Sequence, residues 1–176
     1  MTEWLPAARR VPSPNYNERP IGTTISLLVI HNISLPPGGF GGDYITQLFC
    51  NQLDPNEHPY FASIHALQVS AHLLIRRDGE IVQYVPFTKR AWHAGVSSFH
   101  GQDNCNDYSI GIELEGADDV PYEQAQYDQL INITRAIMKT FPAITQERIV
   151  GHSDIAPSRK TDPGAAFDWI YYRSRL

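Results

Sequence analysis

Cysteine is nearly absent from this chain, with two thiols, Cys50 and Cys105, in 176 residues. Two are too few for a disulfide framework, and both are expected to be reduced. Basic charge is scarce as well. With 14 Lys and Arg against 19 Asp and Glu, the formal net charge is −5, which offers no positive field to a phosphate backbone and excludes nucleic acid as the expected partner. No apolar run approaches the roughly 20 residues that span a bilayer, so no membrane role is expected. The first residues, MTEWLPAARRVPSPNYNERPIG, hold an early acid and scattered prolines but no apolar stretch of the signal-peptide kind. A cytoplasmic protein is the expectation, and the sequons Asn32-Ile33-Ser34 and Asn132-Ile133-Thr134 then carry no meaning. Missing too are a Gly-x-Ser-x-Gly elbow, a cysteine nucleophile or redox motif, and a glycine-rich phosphate loop. Covalent catalysis and nucleotide chemistry therefore have no apparatus here.

What is present suits one domain, residues 1–176: 42% hydrophobic and 19% charged residues are ordinary globular composition at this length. Residues 1–24 are rich in Pro, Asn, Arg and Gly and read as an extended leader wrapping the domain, ordered by Trp4, Val11 and Tyr16. Ser26 to Ser34 is a nearly continuous apolar run, the pattern of a strand covered on both faces, with His31 near its carboxyl end. Beyond a Gly-Pro loop, Asp43 to Leu53 carries Ile45, Leu48 and Phe49 at helical spacing, with Asp43 as cap. HLLIRR and EIVQYV, joined at Asp78-Gly79, predict a hairpin. Tyr108 to Glu115 alternates, with Ile110, Ile112 and Leu114 on one face and Ser109, Gly111, Glu113 and Glu115 on the other. Apolar spacing predicts a helix from Tyr122 to Phe141, stopped by Pro142, and Arg148 to Gly151 reads as a last strand. Strands alternate with helices, so the class is α/β, and there is no internal repeat.

The segment from Gly151 to Gly164, GHSDIAPSRKTDPG, is the richest in chemistry. Pro157 and Pro163 make it a shaped loop, neither helix nor strand, and it packs His152, Asp154, Lys160 and Asp162 together. Of seven histidines, His31 and His152 stand where apolar strands give way to loops, the place where α/β sheets bind ligands. If those strands are neighbours, the imidazoles meet. A catalytic zinc takes three protein ligands and keeps a fourth position for water, so one carboxylate would complete the set. Asp154 is close enough to His152 to strain the loop, whereas Asp162 can fold back past the turn at Pro157. Such a site needs a proton shuttle, for which Glu113 and Glu115 are both candidates, and an oxyanion stabiliser, for which Lys160 is suited. Solvated surface positions are the competing reading for all three. Trp92-His93-Ala94-Gly95 and His58-Pro59-Tyr60 are loop segments that suit contact with a sugar or peptide, or, for Trp92, packing against the leader.

Four segments together carry a family resemblance: VIHNIS at 29–34, AWHAG at 91–95, IELEG at 112–116, and GHSDIAP at 151–157 with KTDPG at 160–164. In this order and over nearly the whole chain they resemble the cytoplasmic AmpD-type N-acetylmuramoyl-L-alanine amidases, a group related to phage amidases and peptidoglycan-recognition proteins. The resemblance implies a central mixed β-sheet flanked by helices, with one Zn2+ on His31, His152 and Asp162. It implies Glu113 as general base and acid, Lys160 as oxyanion partner, and Asn32, Trp92, His93 and Ala94 as substrate-binding residues. The implied reaction is cleavage of the amide between (1,6-anhydro-)N-acetylmuramic acid and the L-alanine of a stem peptide, in cell-wall recycling by a monomer. Removing such muropeptides would also lower an inducer of β-lactamase. A non-catalytic muropeptide-binding module of the same fold is the alternative, and a zinc hydrolase of another amide is a third reading. Ser153 replaces a cysteine found in many relatives, and Gln68 and the loop Ser98 to Asn106 lack arginines that some relatives carry. That leaves Arg76, Arg90 and Arg159 as cations for the peptide's carboxylates.

Overall fold

A computed structural model describes residues 3–176 of the chain. Its strands are β1 (Arg9–Arg10), β2 (Tyr16–Asn17), β3 (Leu27–Ile33), β4 (Leu73–Ile75), β5 (Ile81–Gln83), β6 (Arg90–Ala91), β7 (Ser98–Phe99), β8 (Gln102–Asp103), β9 (Ser109–Glu115) and β10 (Ile149–Gly151). Its helices are α1 (Tyr44–Phe49), α2 (Phe61–Ile64), α3 (Gln124–Thr140), α4 (His152–Ile155) and α5 (Trp169–Ser174). The main sheet runs in the order β1-β5-β4-β9-β3-β10. Only β4 and β5 pair antiparallel, around the predicted turn with Gly79 at φ 88°, and the other neighbours are parallel, so the sheet is mixed as expected.

The alternation read in β9 holds. Ile110, Ile112 and Leu114 join Leu28 and Ile30 against Leu130, Ile131, Ile133 and Ile137 of α3 and Tyr172 of α5. Helix α3 starts later than its apolar spacing suggests, because the Glu123 backbone N–H is taken by the Gln126 side chain, and it stops one residue short of Phe141, whose successor Pro142 disfavours helix. On the opposite face, α1 and α2 cover Leu74, Val82 and Tyr84, while Ala94, Phe99, Cys105, Tyr108 and Ile155 cover Leu27 and Val29. Between these two apolar patches the same face carries His31 and Glu113. Helix α1 is shorter than the predicted Asp43 to Leu53: the chain turns at Asn51, φ 59°, and Asp43 makes no side-chain cap. Ile45, Leu48 and Phe49 are nevertheless the buried apolar positions of α1, as their spacing demands, with Thr46 buried beside them.

The described residues before β3 are held by backbone pairing and by polar side chains as well as by apolar ones. β1 adds an edge strand to the main sheet and β2 pairs with β6. Leu5, Ser13 and Asn15 are buried, Val11 is only partly so, and Tyr16 is 39% exposed. Trp4 lies against Arg10, whose guanidinium carbon stands 5.5 Å from the ring centre. Arg19 reaches inward to donate to the carbonyls of Asn106, Asp107, Phe87 and Ser109. Both cysteines are free thiols, and among the described residues no helix is long and apolar enough to cross a membrane.

Candidate active site and metal centre

Strands β3 and β10 are parallel neighbours with Gly151 opposite Ile30, which sets His152, the first residue past β10, beside His31. The loop beyond α4 then folds back, held by the Ser153 N–H on the Asp162 carbonyl at 3.0 Å and by the Lys160 N–H on the Ala156 carbonyl at 3.1 Å. Three atoms converge as a result. His31 Nδ1 is 3.0 Å from both His152 Nδ1 and Asp162 Oδ2, and His152 Nδ1 is 3.1 Å from the same carboxylate oxygen. Asp154 is elsewhere, accepting the Gly151 N–H at 2.8 Å as a cap on α4.

The chemistry of this donor set fits a cation. His152 Nε2 lies 3.0 Å from the Ala94 carbonyl, which can only accept, so a neutral His152 carries its proton there and turns an unprotonated Nδ1 toward Asp162. Burial outweighs the attraction of the Asp162 carboxylate and lowers the His31 pKa to about 4, so the His31 ring is neutral near pH 7. Burial works against ionisation of Asp162, but the two imidazoles against its Oδ2, those of His152 and His31, override it and hold its pKa well below the carboxylate range. Lone pairs about 3 Å apart with no proton between two of them repel unless a positive ion joins them. Tetrahedral zinc bonds of about 2.0–2.1 Å put ligand atoms roughly 3.3 Å apart, close to the observed spacing.

Glu113 lies beside this cluster, 8% exposed, with Oε2 buried and unpartnered. Burial pushes its pKa well above the usual carboxylate range, the negative charge of Asp162 adds to the effect, and Lys160 opposes it. Glu115 is buried too, but its oxygens accept from the Gly41 and Arg77 backbone N–H groups and face Arg76 at 3.8 Å. The two glutamates are thus separated by their partners, and neither sits on a solvated face. His31, His152, Asp162, Glu113 and Lys160 line one cleft of about 360 Å3, whose far wall is apolar: Leu48, Phe49, Ile64, Leu67 and Val69. Lys160 is exposed and also borders two adjoining grooves.

The other predicted positions divide. Trp92 lines the cleft and donates its indole N–H to Asn17 Oδ1, so it both faces the site and ties down the leader. Asn32 lines it as well, but its amide donates to Asp118 Oδ1 and the Pro163 carbonyl, bracing the loop that carries Asp162. His93 lines the cleft with both ring nitrogens engaged internally, by His31 and by Ser109. Ala94 is fully buried, its N–H on Asn106 Oδ1 and its carbonyl taken by His152 and Arg159, which leaves it no polar group for a substrate. Of the three arginines, only Arg159 borders the grooves beside Lys160, and all three are engaged: Arg159 donates to the Ala94 and Val96 carbonyls, Arg76 to the Gly42 carbonyl and Arg90 to Asp107. Sequence reasoning missed Asn106, Ser109 and Asp118, which act through other residues and carry no local motif.

A mixed sheet that presents a two-histidine, one-aspartate cluster and an unpartnered glutamate to one cleft defines the class as a hydrolytic enzyme. The particular kind follows from its relatives: the chain matches the N-acetylmuramoyl-L-alanine amidase family over residues 21–165 and belongs to it, in the AmpD group. It is 63% identical over 171 residues to the 1,6-anhydro-N-acetylmuramyl-L-alanine amidase AmpD of Citrobacter freundii, covering 97% of this chain and 91% of that protein. A crystal structure of a selenomethionine AmpD derivative superposes with a TM-score of 0.97 at 61% identity, covering 100% of this chain and 98% of that one. At 30% identity and a TM-score of 0.63, the Escherichia coli amidase AmiD covers 92% of this chain and 65% of its own. It was solved with the substrate anhydro-N-acetylmuramic acid-L-Ala-D-gamma-Glu-L-Lys.

Proposed function

We propose that this chain hydrolyses the amide between 1,6-anhydro-N-acetylmuramic acid and the L-alanine of a stem peptide, as a monomeric cytoplasmic enzyme of peptidoglycan recycling. The observation that carries this reading is the buried, unpartnered Oε2 of Glu113 in the same cleft as His31, His152 and Asp162. The names of the AmpD relatives specify the linkage. His31, His152 and Asp162 would hold one Zn2+, which supplies Lewis acidity toward the amide carbonyl and toward water. Glu113 takes the proton of the attacking water and passes it to the departing amine. Lys160 donates to the carbonyl oxygen as charge develops there. Trp92 and the apolar wall position the substrate, and Arg159, which borders the grooves beside Lys160, is the arginine placed to meet a stem-peptide carboxylate. In a host that senses these fragments, the reaction lowers an inducer of β-lactamase.

The test is incubation of purified protein with anhydromuramyl-tripeptide, read by mass spectrometry before chelation, after it, and after zinc is returned. Release of free tripeptide that stops and resumes with the metal is the expected result. Tight binding without cleavage by zinc-loaded protein would make this a muropeptide-binding module instead.

A further inference from the structure

We infer that His93 is a positioning residue for the metal centre: it accepts the Nε2–H of His31 and so fixes the tautomer whose Nδ1 lone pair faces His152 and Asp162. The inference rests on the zinc reading above and deepens it. His31 Nε2 and His93 Nδ1 are 2.9 Å apart with the two ring planes at 84°, an edge-on approach that aims one nitrogen at the other. A neutral imidazole has one protonated and one bare nitrogen. If His31 Nδ1 is to bind a cation its proton must sit on Nε2, and His93 Nδ1 is the acceptor within reach. The His93 proton then lies on Nε2, 3.1 Å from the hydroxyl of Ser109, a fully buried residue that accepts it and ends the chain.

Two successive residues of the AWHAG segment therefore serve the two histidines of the cluster: His93 holds the outer nitrogen of His31, and the Ala94 carbonyl holds that of His152. Asn106 Oδ1 accepts both backbone N–H groups, at 3.1 and 2.8 Å, which fixes the pair as a unit. The sheet makes room for this arrangement. A Cβ on Gly111 would stand 2.5 Å from His93 Cγ, so this position in β9 is held to glycine by the ring lying across it. The partners that orient ligand histidines commonly govern metal affinity by 10–100-fold.

The experiment titrates zinc-free protein with Zn2+ against a chromophoric chelator, for wild type, His93→Leu, His93→Asn and Gly111→Ala, with the fold checked by melting of each zinc-free protein. His93→Leu removes the acceptor and should weaken zinc binding about 10–100-fold. His93→Asn places Oδ1 where Nδ1 was and should return affinity to within a few-fold of wild type, which a loss of packing alone would not do. Gly111→Ala displaces the ring without deleting it and should weaken binding in the same direction; it carries the test if the leucine variant does not fold. Wild-type affinity in His93→Leu, or an asparagine variant as weak as the leucine one, overturns the inference while leaving the zinc site standing. A wild type whose zinc affinity is unchanged by Asp162→Ala overturns the zinc reading itself.

Discussion

His31 and Glu113 are register partners on the parallel strands β3 and β9, so their side chains leave the same face of the sheet one strand apart. Neighbouring strands are about 4.8 Å apart, which brings the proposed proton shuttle next to the ligand cluster without relying on any loop. Glu115, paired with Ile33 one step further on, faces the same way but spends its oxygens on Gly41, Arg77 and Arg76. The sheet supplies both carboxylates and their partners assign the roles.

Glu113→Gln should therefore keep bound zinc and lose turnover by about 10²–10⁴-fold, the usual cost of removing a general base. Metal content and cleavage rate on the same preparation decide it. Glu115→Ala should instead strip the acceptor from two backbone N–H groups and lower the melting temperature, with a smaller effect on the rate of the folded fraction. If Glu115→Ala lost more turnover than Glu113→Gln, the assignment of the shuttle would be reversed.

Asp162→Ala should cost most of the bound zinc and most of the activity, because only His31 and His152 would remain of the ligand set. Asp154→Ala should keep both and lose only a cap on α4, about 1 kcal/mol. Full zinc retention in the Asp162 variant would move the third ligand elsewhere.

The strand order could not be read from the chain, yet the consequence that matters could. His31 and His152 each end an apolar run, and the sheet rule for ligand crevices put both at strand ends; that they meet depended on β3 and β10 being neighbours, which the register shows. The β9 alternation likewise put Glu113 and Glu115 on one face. What stayed hidden was which of them is unpartnered, since that depends on Gly41 and Arg77 arriving from distant loops. The commitments of His93 and Ala94 were hidden for the same reason: their partners Ser109, Asn106 and Arg159 are separated from them in sequence and meet them only through folding. Ahead of β3, the polar bonds of Ser13 and Asn15 were hidden for the same reason, because their acceptors on Phe49 and Val69 lie 36 to 54 residues away in sequence.

In the metal-free protein the raised pKa of Glu113 makes that residue's contribution to stability depend on pH. Because the folded pKa exceeds the unfolded one, the residue's contribution to stability is fully present below the unfolded value and is lost as pH rises through the folded value. Zinc-free Glu113→Gln should accordingly melt higher than zinc-free wild type near neutral pH, with the gap closing toward about pH 4. A gap that widened on acidification would contradict burial as the cause of the shift.

Asn15 gives the sharpest test of how the leader is held. Its amide donates to the Phe49 and Val69 carbonyls and to Asn51 Oδ1, while its own Oδ1 accepts from Asn51, so one side chain joins the leader to the end of α1 and to the segment before β4. Ser13 adds a bond to the same Phe49 carbonyl, and Ser70 donates to the Asn15 carbonyl. Asn15→Ala would take the side-chain donor from the half-buried Val69 carbonyl and break the paired bonds with Asn51, while Ser13 still serves the Phe49 carbonyl, a cost of about 1–3 kcal/mol. At this chain length that is roughly 2–4 °C of melting temperature per kcal/mol, well within calorimetric reach. Tyr16→Ala, at a site 39% exposed, should cost much less. Phe49 and Val69 also form part of the apolar wall of the cleft, so loosening the leader should raise the KM for muropeptide more than it lowers kcat. Equal melting temperatures for the Asn15 and Tyr16 variants would return the anchoring role to the aromatic side chain.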